Sequence, residues 1–571
     1  MKVLKEYKTI FLAGLAVVLF FGLTYFVMGN VESKQKFTYG EHLFQEGVVS
    51  EINVQIDEAN WKELLENPLT EEYYRADVTI NGELMGNTAI RTKGNTSLTS
   101  VANSDSDRYS FKLDFDYYDD NGNYYGLKKL CLNNNYADNS NMREYICYKI
   151  MEDMGLPVPQ CGYSHITVNG EEWGLYLAVE AVDEVFLQTN FADATGDLYK
   201  PEGMGGTGAD LVYRGDDITA YTNLNLKTNL ETSDGSKIIA LMKALETGEG
   251  LEEVLDIENA LKYLAANVAL ANFDSYLGGT THNYYLYEEN GVFSMIPWDL
   301  NLSFGGFGGG EVDIYEPASN QMGRPGGEGK EDPEMSAQSA EKMQKREHIP
   351  EMPKGFGGMD AGGEKPLVTT LLENETFLAL YEGYLQEITE TYLTEEYMAA
   401  QVTKIHDLIA PYVEQDATTF YTYEEFEQGC SVDPLDEYSL VYYAVNMAES
   451  IQTQLKGGEP TFDVSSLKGG GMHMGGGKGS MSAFGGEIPD MEDMPEFYGK
   501  MPDMAKRGKM SPENAGARKN GRPEDIPEMP DEPGRQQADI KEILPEIVVC
   551  CGIFAAGLVI AILYKRRKDL K

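Results

Sequence analysis

Three Asn-Gly dipeptides do most to limit how this chain can fold. Asn81-Gly82, Asn169-Gly170 and Asn290-Gly291 each lie between two runs of strand-forming residues. A tight two-residue hairpin needs positive φ at both turn positions, which Asn tolerates and Gly adopts freely, so each dipeptide predicts an antiparallel strand pair. The first joins YYRADVTIN to MGNTAIRTKG, the second CGYSHITV to WGLYLAVE, and the third NYYLYEE to GVFSMIP. Further strands are expected in VVSEINVQID, in the alternating run Tyr109 to Phe115, and around Lys128 to Leu132, beyond the turn Asp119 to Gly122. Arg91 to Ser97 reads as a polar turn. Helices are expected over NWKELLENP and from Asn141 to Met154, the latter opened by Asp138-Asn139-Ser140 and stopped before Gly155 and Pro157. The N-terminal half is therefore a mostly antiparallel sheet with one helix inserted, passing at Glu180 into a helical segment.

Helical spacing dominates the rest of the chain. Lys200 to Asn225 is Gly-rich and irregular, but Asp234 to Ala271 carries apolar residues at helical intervals, as does Pro366 to about Gln454. Two stretches have no period and are dominated by Gly, Met, Pro and charged residues: about 305–365, and about 457–540. Composition predicts disorder there, an insertion and a linker. Met472-His473-Met474 in the second tract is too slight to predict copper binding.

The formal charge of −47 excludes nucleic acid as a partner, since a polyanion would be repelled over most of the surface. It favours metal cations or basic protein segments. Six scattered cysteines without a CxxC, and six dispersed histidines, offer neither a disulfide framework nor a zinc site. Lys2, Lys5 and Lys8 precede an apolar run from Ile10 to about Met28, and a second run, Ile547 to Leu563, ends in Tyr-Lys-Arg-Arg-Lys. Both read as membrane spans, and basic residues at the two chain ends place both termini in the cytoplasm. The expected organisation is an anchor at 1–31, a sheet-rich lobe at 44–182, a mainly helical lobe at 183–456, the linker at 457–540, a span at 544–564 and a basic tail at 565–571.

The chemistry concentrates in Ala271 to Phe304. Asp274 follows a helix, Asn283 opens the third hairpin, and Asp299 closes it. Two carboxylates and a carboxamide are hard oxygen ligands suited to Mg²⁺ or Mn²⁺, though polar hairpin ends that are merely solvated would look the same. The order of parts matches the logic of a protein-kinase centre, an Asp for the hydroxyl and then an Asn and an Asp for metal. The letters differ: there is no HRD or DFG, and Asn283 lies nine positions after Asp274. Lys112 on a strand and Glu144 on a helix are either solvated residues or the lysine–glutamate pair with which such folds hold nucleotide phosphates.

Six stretches carry a resemblance to a known family: RTKGNTSL (Arg91 to Leu98), YSFKLDFD (Tyr109 to Asp116), GLKKLCLNNNYADNSNMREYICYKIMEDMGLPVP (Gly126 to Pro159), VNGEEWGLYLAVEAVDEVFL (Val168 to Leu187), ANFDSY with HNYYLY, and IPWDLNLSFGG. The chain resembles the CotH kinase family, named for a spore-coat protein of endospore-forming bacteria. The resemblance implies an α+β, atypical protein-kinase-like fold of two lobes, set here between two transmembrane helices. It implies transfer of the γ-phosphate of ATP, with Mg²⁺ or Mn²⁺, to Ser or Thr of protein substrates, the chain itself included. Ser480, Ser482 and Ser511 of the low-complexity tract are candidate acceptors, as serines of any such tract would be. By motif, Asp274 is the catalytic Asp, Asp299 and Asn283 the metal ligands, Lys112 the nucleotide lysine and Glu144 its partner. Arg91, Lys93 and Asn95 form a wall over the phosphates, and Glu180 leads into the hinge between lobes. Asn301 stands where this motif often has Asp. The expected setting is the cell membrane of a Gram-positive bacterium, with the kinase-like domain outside. The alternatives are a surface or coat-assembly scaffold without activity, and an enzyme moving another group from a nucleotide.

Overall fold

The computed structural model of the chain describes residues 37–202, 207–317 and 364–471. These three Asn-Gly dipeptides form the turns their chemistry requires, whereas Asn121-Gly122 holds positive φ at neither position. Asn and Gly take φ of 49° and 87° at 81–82, 52° and 83° at 169–170, and 55° and 94° at 290–291. Positive φ at both positions is type I′ geometry, whose twist matches the flanking strands.

Helix α1 (Tyr39–Leu43) leads into β1 (Ser50–Ile56), α2 (Glu58–Glu66), β2 (Tyr74–Ile80) and β3 (Glu83–Lys93). Then come α3 (Thr96–Ala102), β4 (Ser110–Asp114), β5 (Lys129–Asn133), α4 (Arg143–Asp153), β6 (Cys161–Val168) and β7 (Glu171–Glu180). The seven strands close into a barrel in the order β1-β2-β3-β4-β5-β7-β6. Closure is made by a parallel pair, β1 with β6, running from Ser50 opposite Ser164 to Val54 opposite Val168. Inward-facing Ile52, Val54, Val78, Ile80, Phe111, Leu113, Leu130 and Leu132 form one apolar core, since successive residues of a strand point to opposite faces. The stretch read as a polar turn, Arg91 to Ser97, is instead the end of β3 and the start of α3. At the start of α4, the Asp138 carboxylate accepts the Arg143 N–H at 2.9 Å and Ser140 Oγ accepts the Met142 N–H at 3.2 Å. These bonds satisfy amides that a helix start leaves open.

The second lobe begins with α5 (Glu184–Asn190) and β8 (Leu198–Pro201), then β9 (Leu224–Leu226), α6 (Ser236–Thr247), α7 (Ile257–Ala269), β10 (Tyr284–Glu289) and β11 (Val292–Pro297). It ends in helices α8 (Pro366–Leu372), α9 (Glu375–Thr391), α10 (Glu395–Val413), α11 (Tyr423–Gly429) and α12 (Leu440–Leu455). The four strands make a sheet ordered β11-β10-β8-β9. Strands β8 and β9 fall in or beside the stretch read as irregular; runs of four and three residues are too short to show an alternation.

Packing extends into both stretches whose composition predicts disorder. Val312 and Ile314 on one side, and Phe462, Val464 and Leu467 on the other, are buried in the larger apolar core, which also takes in Tyr163, Leu175 and Val179 of the barrel. The two flanks meet where the Val464 N–H donates to Gly310 O at 3.0 Å. A few apolar residues at the margins are enough to order them, so the domain reaches Gly471. The remainder of both tracts lies outside the described residues, with Met472 to Met474 and the three serines. Both expected membrane spans also lie outside them; among the described residues no helix is long and apolar enough to cross a membrane.

A buried ion pair fastens the lobes. Arg108 Nη1 lies 2.7 Å from Asp416 Oδ2, each side chain about 2% exposed. Asp416 also accepts the Leu175 N–H at 3.0 Å. Gly174, with φ of 106°, allows this approach: a Cβ there would lie 2.1 Å from the Asp416 carboxylate.

Candidate active site

Asp274 sits in the loop between α7 and β10, and that loop is built tightly. Ser275 Oγ donates to Asn272 O at 2.6 Å, and the Asn272 carboxamide donates to Asn267 Oδ1 at 2.8 Å. A Cβ on Gly278 would fall 1.6 Å from Phe273 O, so only glycine fits the bend. Thr281 and Asn283 hold positive φ, 48° and 56°. The result gathers three partners around one carboxylate. Thr280 Oγ1 donates to Asp274 Oδ1 at 3.3 Å, His282 Nε2 is 3.5 Å from the same oxygen, and Asn283 Nδ2 donates to Oδ2 at 3.0 Å. Asn283 also donates to Asp274 O at 2.9 Å. Burial raises the Asp274 pKa; the His282 charge opposes this, and the charge of Asp299 adds to it.

Asp299 arrives from the other side of the hairpin, at φ of 58°. Its N–H donates to Tyr148 Oη of α4 at 3.1 Å. On the same helix Glu144 is buried, and burial first, then the nearby charge of Asp299, pushes its carboxyl up to about 7. Both Glu144 oxygens accept from Asn133 Nδ2, at 3.1 and 2.9 Å. Asn133 Oδ1 in turn accepts from Lys93 Nζ at 2.6 Å, and that ammonium lies 5.8 Å from the centre of the Trp298 ring. Hydrogen bonds thus join Lys93, Asn133 and Glu144, and the charge of Asp299 acts on both Glu144 and Asp274, so the five residues form a row held by bonds at one end and linked by charge at the other.

The pairing of Lys112 with Glu144 is not formed. Lys112 lies opposite Arg91 and Cys131, and burial lowers its pKa, with Cys131, Arg91, Lys129 and Asp114 the charges acting on it. Lys93 lies opposite Ser110 and so belongs to the end of the barrel that carries Asn133. One pair of positions along a strand is roughly 7 Å, and that displacement separates Lys112 from the acid. Arg91 is engaged on the barrel, ion-paired with Glu71 and stacked 5.3 Å from the Tyr73 ring centre. Asn95 is exposed just before α3 and caps nothing with its side chain. Glu180 is fully buried at the end of β7, where it accepts from Tyr39 Oη and, at 3.1 Å, from the Gln160 N–H; burial pushes it up to about 8. Its carboxylate is thus committed inside the protein, and the structure does not bring it to the site.

Asn133, Tyr148 and His282 join the site although sequence reasoning assigns them no role. Asn133 and His282 each fall within a family stretch, and Asn133 follows a strand end, which is the available signal. The amide N–H groups of Asn283 hold Asp274.

The donor set suits a divalent cation that brings other ligands with it. Among the described residues no three or more His, Cys, Asp or Glu side chains converge as a complete metal cage. Two acids crowd each other instead, Glu144 and Asp299, with Asp274 feeling the same charge. Acidic groups beside a lysine fit Mg²⁺, which is typically held by one or two carboxylates plus phosphate oxygens and water.

A family model described as "CotH kinase protein" matches residues 90–439. The inner spore coat protein H of Bacillus subtilis (strain 168) is 24% identical over 327 residues, covering 53% of this chain and 74% of that protein. The matched region contains every residue of the row, from Lys93 to Asp299.

Proposed function

The chain belongs to the CotH kinase protein family, and on that premise we propose that it transfers the γ-phosphate of ATP to Ser or Thr hydroxyls of protein. The observation that carries this reading is the row from Lys93 to Asp274. Asp274 accepts the proton of the attacking hydroxyl, held at the required angle by Asn283, Thr280 and His282. Its raised pKa brings it closer to the range in which it can take that proton and release it again. Asp299, backed by Glu144, is the group to hold Mg²⁺ or Mn²⁺ beside the phosphates, and the ion when bound neutralises their charge. Lys93 supplies a positive charge from the barrel side. Phosphoryl transfer needs alignment and charge neutralisation more than covalent chemistry from the protein, so this small set is sufficient.

The setting we propose is extracytoplasmic, tethered by the runs at Ile10 to Met28 and Ile547 to Leu563, with basic protein segments or the chain's own serine-bearing tract as acceptors. A coat scaffold that retains the fold without transfer is the second reading, favoured by the likeness to an inner spore coat protein.

The deciding experiment incubates the full chain in mild detergent with γ-labelled ATP and Mg²⁺ or Mn²⁺, beside Asp299→Ala of matched thermal stability. Label on protein that is lost in the variant supports the kinase. No label together with no nucleotide binding selects the scaffold. Binding without label points to another transferred group.

A further inference from the structure

We propose that Lys365 is a positioning residue for this reaction, an internal lysine that clamps the loop holding the partners of Asp274. The proposal rests on the phosphotransfer reading for its functional consequence, but the clamp itself stands on geometry.

Lys365 is 4% exposed. Its Nζ donates to Tyr276 O at 2.8 Å, Gly278 O at 2.9 Å and Thr281 Oγ1 at 2.5 Å. Burial lowers the Lys365 pKa to about 7; in its protonated form the group has three N–H donors, and all three are spent on one bend of the chain. That bend, 276–281, joins Asp274 to its ligands. Thr281 is flanked by Thr280 and His282, the two groups that address Asp274 Oδ1. The attachment has a second point. Tyr276 Oη accepts the Leu367 N–H at 3.3 Å and donates to Asp210 O at 3.1 Å, while the ring lies 5.0 Å from Nζ. The segment Lys365 to Leu367 therefore grips Tyr276 at its carbonyl and at its hydroxyl.

A charge in so buried a place is costly unless it is fully bonded. Bulk alone could fill this space with a leucine or methionine. A lysine whose every donor meets an oxygen of the catalytic loop does something bulk cannot: it fixes the carbonyl directions, and with them the φ and ψ that aim Thr280 and His282. Lys365 touches no reacting atom in this scheme; it acts through the loop.

The test compares Lys365→Met with the native full chain. Amide exchange over 276–283, measured without nucleotide, is expected to accelerate at least ~10-fold, with helix α8 and the barrel unchanged, as for local opening of one loop. With Mg²⁺-ATP, kcat is expected to fall ~100-fold with KM for ATP within ~3-fold, the size of effect that ~1 Å of misplacement produces. Ethylammonium in the medium should restore part of kcat to Lys365→Ala and none to Asp274→Ala. Unchanged exchange in the loop overturns the clamp, and so does faster exchange spread equally over the lobe. A loosened loop with unchanged kcat overturns the positioning role. Should Lys365→Met fail to fold, Thr281→Val removes one acceptor and keeps the lysine; a smaller change of the same sign is expected, and none overturns the proposal. If the native chain transfers no phosphate, the kinase reading fails, while the exchange result still decides the clamp.

Discussion

Lys93 and Asn133 meet at 2.6 Å, and through that carboxamide the lysine at the end of β3 reaches Glu144. A lysine and an acid joined in this way respond to mutation differently from a direct ion pair. Lys93→Met should lower kcat/KM for ATP by about 10²–10³, the typical cost of one electrostatic donor. Lys112→Met should cost less than about 10-fold, because its neighbours are on the barrel. Initial rates at several ATP concentrations decide between them; a larger loss at Lys112 would move the nucleotide lysine back to β4.

Metal and pH should act on stability together. Burial lifts Glu144 to about 7 and Glu180 to about 8, well above the usual carboxylate range. Between the unfolded and folded values the native state holds the extra protons, so stability falls as pH rises through that window and levels off above it. The melting temperature of the chelated protein should therefore decline from about pH 5 to about pH 8. Mg²⁺ should raise it more at the upper end, where Glu144 is ionised, and Glu144→Gln should flatten the decline and blunt the Mg²⁺ effect. Glu180→Gln should flatten the decline and leave the Mg²⁺ response intact.

The buried pair between Arg108 and Asp416 should contribute measurably to stability. Asp416→Ala leaves Arg108 buried and uncompensated, which costs about 3–5 kcal/mol. Urea unfolding measures the loss, and a double-mutant cycle with Arg108→Met should recover a large part of it. A cost within about 0.5 kcal/mol would show that the pair contributes as little as a surface one.

Gly278 permits the bend beneath Asp274. Alanine there must displace the Phe273 carbonyl, so kcat should fall by about 10²-fold or more. Circular dichroism and melting of Gly278→Ala should show whether the loss is confined to the loop. An active, normally stable variant would mean the loop relaxes without moving Asp274.

Much of this fold is legible in the sequence because it is local. Three of the four Asn-Gly dipeptides among the described residues take the hairpin angles expected of them, and Asp57, Asn374 and Ser439 cap their helices with their own side chains. Asp274, Asn283 and Asp299 are legible because one hairpin and its flanks carry them all. The parallel β1–β6 pairing is not, since it joins segments more than a hundred residues apart with no turn to announce it. Choosing Lys93 over Lys112 depends on strand register, which composition does not reveal. Lys365 stands in a tract whose composition speaks only of disorder, and its role exists only once the loop is folded around it.

Closing the barrel has a consequence for how copies of this chain can associate. A closed ring of strands offers no row of free amide donors and acceptors, so that lobe gives an incoming strand nothing to add to. The rims of the other sheet are little better: β9 spans only Leu224–Leu226, and β11 is overlaid where Phe293 exchanges hydrogen bonds with Val254 and Asp256. Among the described residues, then, neither sheet offers a long free edge, and an ordered array built through these parts has to be made from side-chain contacts.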